Sequence, residues 1–62
     1  MEVKLKAKRV EFQMTQEQVA EKIGISTPTY INKENGKKLF NLLEIKKLLT
    51  LFDCKFEDIF LL

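Results

Sequence analysis

The stretch Gln16 to Gly36, QEQVAEKIGISTPTYINKENG, decides the fold. Thr15 stands just ahead of it and Gln18 follows three residues on, a capping-box arrangement. The threonine hydroxyl is placed to accept the Gln18 amide, and the glutamine side chain to reach back. Val19, Ala20 and Ile23 then recur at helical spacing, which predicts a helix over 16–23 with one apolar stripe. Gly24 ends it where a left-handed residue is wanted. Ile25 is a hydrophobic connector, and Ser26 is a good N-cap for a second helix. Pro28 is acceptable there because a first-turn amide has no helical partner. That helix runs to about Asn35, and Gly36 closes it. Ala20 is small enough for the second helix to approach closely, while Val19 and Tyr30 fill the inside of the corner. The product is two short helices crossing at a tight turn.

Helical spacing continues on both sides. Upstream, residues 5–12 read as a short, highly charged helix, with Leu5, the aliphatic stem of Lys8, and Phe12 on one face. Downstream, residues 36–40 read as a basic loop. Asn41 and Glu44 repeat the capping-box logic and open a helix over 42–52. Its buried stripe is expected to be Leu42, Ile45, Leu48, Leu49 and Phe52, with Lys46 and Lys47 outward. Asp53 and Cys54 make a short break before a last helix over 55–60, which places Phe56, Ile59 and Phe60 on one side. Strand-like alternation is scarce. The chain is therefore read as an all-α, five-helix domain occupying residues 1–62, with no linker, repeat or low-complexity segment.

Sixty-two residues bury only about 60% of the unfolded surface, so the stability margin is thin without dimerisation or a staple. One cysteine, Cys54, excludes an intrachain disulfide, and no histidine is present to help build a zinc site. The missing histidine also removes the commonest acid–base group at neutral pH. No paired-carboxylate, Ser-His-Asp, Cys-His or phosphate-loop constellation is present, so no enzyme, metal or cofactor is expected. No secretion signal or membrane-length apolar run is apparent, and a free thiol fits a reducing cytoplasm. The net charge is only +2. Its distribution is uneven: Lys4, Lys6, Lys8 and Arg9 gather near one end, and Lys33, Lys37 and Lys38 gather in and beside the loop. Such asymmetry suits a chain that turns one face to a polyanion, although an ordinary solvated lysine–glutamate surface has the same composition.

The small residue at position 20, the Gly24-Ile25-Ser26 turn and the Glu34-Asn35-Gly36 ending together resemble the lambda-repressor/Cro-like (Xre-type) helix-turn-helix family. Met14-Thr15-Gln16 and Phe56-Glu57-Asp58-Ile59-Phe60 extend the resemblance over about residues 5–60. It implies a helix-turn-helix over about 16–35 and a sequence-specific transcriptional regulator, prokaryotic or phage-encoded, of repressor or Cro type. Such regulators place the recognition helix, here about 27–34, in the major groove of double-stranded DNA and usually bind two-fold half-sites as homodimers.

The resemblance also implies roles for individual positions. Thr27, Pro28, Ile31 and Asn32 face base edges; asparagine can pair bidentately with adenine, and the others can meet a thymine methyl. Gln16, Ser26, Lys33, Asn35, Lys37 and Lys38 meet phosphates. Arg9 and Glu34 form a structural ion pair from the first helix to the end of the third. The apolar end Phe60, Leu61 and Leu62 is a candidate dimer contact. Three departures stand out. Lys33 occupies a usually apolar position, Gln13 stands where a glycine is usual, and Lys55 replaces a better N-cap. A protein-interaction adaptor or antitoxin-type module using the same fold is the alternative function.

Overall fold

The computed structural model describes residues 2–61. In chain order the elements are β1 (Glu2–Val3), α1 (Leu5–Glu11), α2 (Gln16–Ile23), α3 (Thr27–Glu34), α4 (Leu42–Leu51), α5 (Phe56–Ile59) and β2 (Phe60–Leu61). Five helices carry the architecture, so the class is all-α as expected. The two short strands pair antiparallel, Glu2 opposite Leu61 and Val3 opposite Phe60, and tie the two described ends together.

The starts of three helices are made as their sequences suggest. Thr15 Oγ1 accepts the Gln18 amide at 3.1 Å, and Gln18 Oε1 accepts the Thr15 amide at 2.9 Å. Asn41 and Glu44 make the same reciprocal pair at 2.8 and 3.0 Å. Ser26 caps α3 by accepting the Thr29 amide at 3.4 Å. Each cap satisfies amides that the first helical turn leaves without partners.

The four longer helices end in one shared motif. The residue at 13, 24, 36 or 53 adopts positive φ, and its amide donates three residues back, as in Gln13 N to Val10 O and Gly24 N to Glu21 O. The next amide then donates five residues back: Met14 to Arg9, Ile25 to Ala20, Lys37 to Asn32 and Cys54 to Leu49. These are Schellman closures. Glycine meets the left-handed requirement at Gly24 (φ 78°), whereas Gln13 (φ 55°) and Asp53 (φ 47°) meet it despite a Cβ.

Leu5, Val19, Ala20, Ile23, Tyr30, Phe40, Leu48, Phe52, Ile59 and Phe60 form the buried core. Aromatic rings chain through it: Tyr30 to Phe40 at 6.1 Å between centroids, Phe40 to Phe60 at 6.0 Å, and Phe60 stacked on Phe56 at 4.8 Å. Val19 and Tyr30 do fill the corner between α2 and α3; neither is accessible to solvent.

Four sequence expectations are corrected here. The buried face of α4 is centred on Glu44, Leu48 and Phe52, four residues apart. Leu42 therefore lies on its flank and is 70% exposed rather than part of the stripe. Phe12 falls just after α1 and packs edge-on against Phe52 at 5.2 Å, remaining partly exposed. Phe40, placed in the basic loop, is a core residue. Phe60 belongs to β2 rather than α5 and is buried against Val3's strand, so it is not an exposed dimer contact. Its neighbour Leu61 is exposed, and Leu62 lies outside the described residues.

Candidate nucleic-acid interface

Helix α3 is held by two adjacent residues that reach in different directions. Glu34 is buried and accepts four hydrogen bonds. Arg9 Nε donates to Oε2 at 2.8 Å and Arg9 Nη2 to Oε1 at 3.1 Å, a bidentate fork. Tyr30, one turn back on α3, donates its hydroxyl to Oε2 at 2.6 Å, and Gln16 Nε2 donates to Oε1 at 3.2 Å. Arg9 Nη1 also donates to the Met14 carbonyl at 3.1 Å. One carboxylate thus binds α1, α2 and α3 together. Burial pushes the Glu34 carboxyl upward, but the bonds from Arg9, Tyr30 and Gln16 outweigh it and hold the group below the ordinary value. Burial, then the bond to Glu34, raises the Tyr30 hydroxyl.

Lys33 faces α4. Its ammonium donates to Glu44 Oε1 at 2.7 Å and lies 5.9 Å from the centroid of Phe40. Burial raises the Glu44 carboxyl, but Lys33 and the Asn41 amide overcome that and lower it on balance. The sequence offered Lys33 to a phosphate. Its ammonium is instead committed within the chain, because the Glu44 carboxylate and the face of Phe40 wait at the end of its stem. Gln16, also offered to a phosphate, spends one amide hydrogen on Glu34.

The remaining positions behave differently. Pro28 is exposed, and Thr27, Ile31 and Asn32 are half-buried, so none of the four is covered by the core. Ser26 is exposed, its hydroxyl donating to Thr29 Oγ1 at 2.8 Å. Asn35, Lys37 and Lys38 are exposed at and beyond the end of α3. Among the described residues, no side-chain hydrogen bond or ion pair engages Thr27, Asn32, Asn35, Lys37 or Lys38. Their polar groups are unspent, while among the described residues no buried side-chain polar atom lacks a partner. The side chains that orient α3 are satisfied internally, and those on its outward edge are left for something else.

Tyr30, Glu44 and Phe40 were missed as parts of this frame. Tyr30 and Glu34 are one helical turn apart, a spacing that could have revealed their bond. The Glu44 pairing crosses a loop, and Phe40 sits outside any helical period, so neither leaves a local pattern. Among the described residues no group of three or more His, Cys, Asp or Glu is placed to hold a metal ion. No described helix is long and apolar enough to cross a membrane.

Comparison with known proteins agrees with this geometry. The profile of the helix-turn-helix family matches residues 5–59. Two proteins of Archaeoglobus fulgidus, each called an uncharacterized HTH-type transcriptional regulator, are 36% and 31% identical to it over 61 residues. The alignments cover 98% of this chain and 86% and 87% of those proteins. No solved structure matches it. With a capped α2, a left-handed glycine, an N-capped α3 and a profile match spanning all five helices, the chain belongs to the lambda-repressor/Cro-like (Xre-type) helix-turn-helix family of transcriptional regulators.

Proposed function

We propose that this chain is a sequence-specific regulator that binds duplex DNA with α3 in the major groove. The observation that carries the reading is the division of labour on α3. Tyr30, Lys33 and Glu34 are bonded inward, while Thr27, Pro28, Ile31 and Asn32 are uncovered and the polar groups of Thr27 and Asn32 are unspent. Asn32 suits a bidentate contact to adenine, and Thr27, Pro28 or Ile31 suits a thymine methyl. Lys37, Lys38, Asn35 and Ser26 fit the flanking phosphates, joined by the remaining amide hydrogen of Gln16. No catalysis is assigned, and the cytoplasm is the compartment that fits a free thiol and a DNA ligand.

Two-fold half-sites and a homodimer on DNA complete the proposal. With Phe60 in the core, the dimer contact moves to exposed leucines. Leu39 is 71% exposed and Leu43 61%, either side of Leu42 at the start of α4, and Leu61 adds a smaller exposed area. Clustered exposed leucines mark an interaction surface more often than isolated ones do. Repression by occupying an operator is the regulatory outcome that needs the least beyond binding itself.

Selecting bound duplexes from a random pool at a stated salt concentration tests this directly. A recovered consensus with inverted half-sites supports both sequence reading and the dimer. Recovery of unenriched sequence counts against specific recognition.

A further inference from the structure

Lys33 and Glu44 do more than pair. Glu44 Oε1 accepts two donors at once, the Lys33 ammonium at 2.7 Å and the Asn41 backbone amide at 3.0 Å. Lys33 lies in the last turn of α3, and Asn41 caps α4, so this one oxygen joins both ends of the segment between the helices. That segment carries Lys37 and Lys38, both exposed and unpaired among the described residues. Phe40, beneath the Lys33 ammonium, anchors the segment in the core. The side chains of Lys33 and Glu44 are only 13% and 10% exposed, so solvent competes weakly with the bond.

We propose that Lys33 and Glu44 form a clip that closes the basic loop and sets the pose of Lys37 and Lys38 for the phosphate backbone. Lys33 is then a positioning residue and makes no phosphate contact of its own. This rests on the DNA-binding reading above, and it assigns a purpose to a lysine where the family usually carries an apolar residue. A lysine stem is apolar enough to stand in for such a residue, and its ammonium, over Phe40, adds a bond that an alkyl group cannot supply. The conventional expectation for a carboxylate near a DNA-binding loop is that it repels the polyanion. A clip makes the opposite forecast, because here the carboxylate organises cations that bind it.

The sign of one substitution separates these cases. Glu44→Gln retains an acceptor at the third helical position, so the cap on α4 survives, but it removes the charge that holds Lys33. Affinity for the selected duplex is measured for the unaltered chain, Glu44→Gln, Lys33→Met and the double variant, each checked for folding by circular dichroism. Amide exchange at Gly36 and Lys37 is followed without DNA, with Asn41 as the control for the retained cap. The clip predicts that each single change weakens binding about tenfold, the loss expected for a hydrogen bond between charged groups. It also predicts that the double variant is no weaker than either single one, and that the loop amides exchange faster. Tighter binding by Glu44→Gln, with a salt slope steeper by about 0.9, would mean that a released Lys33 meets phosphate and would overturn the proposal. Additive losses in the double variant, or unchanged loop exchange in Glu44→Gln, would overturn it as well. If the unaltered chain binds no duplex, the DNA reading fails and the clip's proposed role fails with it; loop exchange still decides whether the clip itself exists.

Discussion

Arg9 and Glu34, twenty-five residues apart, meet through two hydrogen bonds of 2.8 and 3.1 Å that fix the end of α3 against α1. Both side chains are largely removed from solvent, at 12% and 5% exposure. Breaking one partner of such a pair leaves a buried charge, here together with the Tyr30 hydroxyl that leans on the same carboxylate. Arg9→Ala is therefore expected to destabilise the fold by about 3–5 kcal/mol. Urea unfolding measures this, and an unchanged free energy would remove the pair from the account. A loss of DNA affinity with the unfolding free energy unchanged would instead make Arg9 a direct contact.

The same network sets a dependence on pH. Glu34 and Glu44 both have carboxyls lowered from the ordinary value of 4.5, so their folded-state stabilisation is complete above that value. It is lost as pH falls through the lowered values. Tyr30 is raised from 10.0, so its contribution is complete below that value and declines as pH rises above it. The thermal midpoint should be level across neutral pH and fall on acidification below about pH 4.5, with a second decline in strong alkali. In Glu34→Gln and Glu44→Gln the acid limb should be shallower. An acid limb unaltered in both variants would place the titrating groups elsewhere.

Left-handed residues give a pair of opposite forecasts. A Cβ at Gly24 would meet only the Lys47 ammonium at an ordinary 3.8 Å, so the cost of Gly24→Ala is conformational, about 1 kcal/mol. Gln13 already bears that cost at φ 55°. Gln13→Gly should relieve it and stabilise the fold by up to about 1 kcal/mol, a rise of roughly 4–8 °C in a domain of this size. Calorimetry on the two variants should show shifts of opposite sign; equal signs would defeat the explanation.

What was legible in the sequence follows from how locally it is encoded. Thr15 with Gln18, Ser26 with Thr29, and Asn41 with Glu44 are separated by three residues. Their caps are short-range chemistry, and all three formed. The stripe Val19, Ala20 and Ile23 is periodic and is buried as read. The errors arose where tertiary contacts rule. Leu42 shares a period with Ile45 and Leu49, yet the core lies to one side of that line, along Glu44, Leu48 and Phe52. Phe60 continues the helical spacing of Phe56 and Ile59, but strand pairing with Val3 captures it first. Lys33 looked free because its partner lies eleven residues on, across a loop. The outward positions Thr27, Pro28, Ile31 and Asn32 came from family resemblance; the structure leaves them uncovered, and their contacts are a matter for DNA experiments.

The leucines at the start of α4 carry the dimer proposal. Leu42→Ser should leave the unfolding free energy nearly unchanged, because the side chain is 70% exposed. It should weaken cooperative occupation of paired half-sites more than binding to a single half-site. Titrating duplexes that carry one or two half-sites resolves the difference. Equal losses on both duplexes would take Leu42 out of the dimer contact.

The most direct measurement of the central claim is the affinity of Asn32→Ala, beside that of the unaltered chain, across single-base variants of the selected duplex at fixed salt. If α3 reads base edges, the substitution lowers discrimination at one base position by about 1–3 kcal/mol and leaves the other positions alone. Losses of equal size on every duplex, or none at all, would contradict an α3 that reads sequence from the major groove.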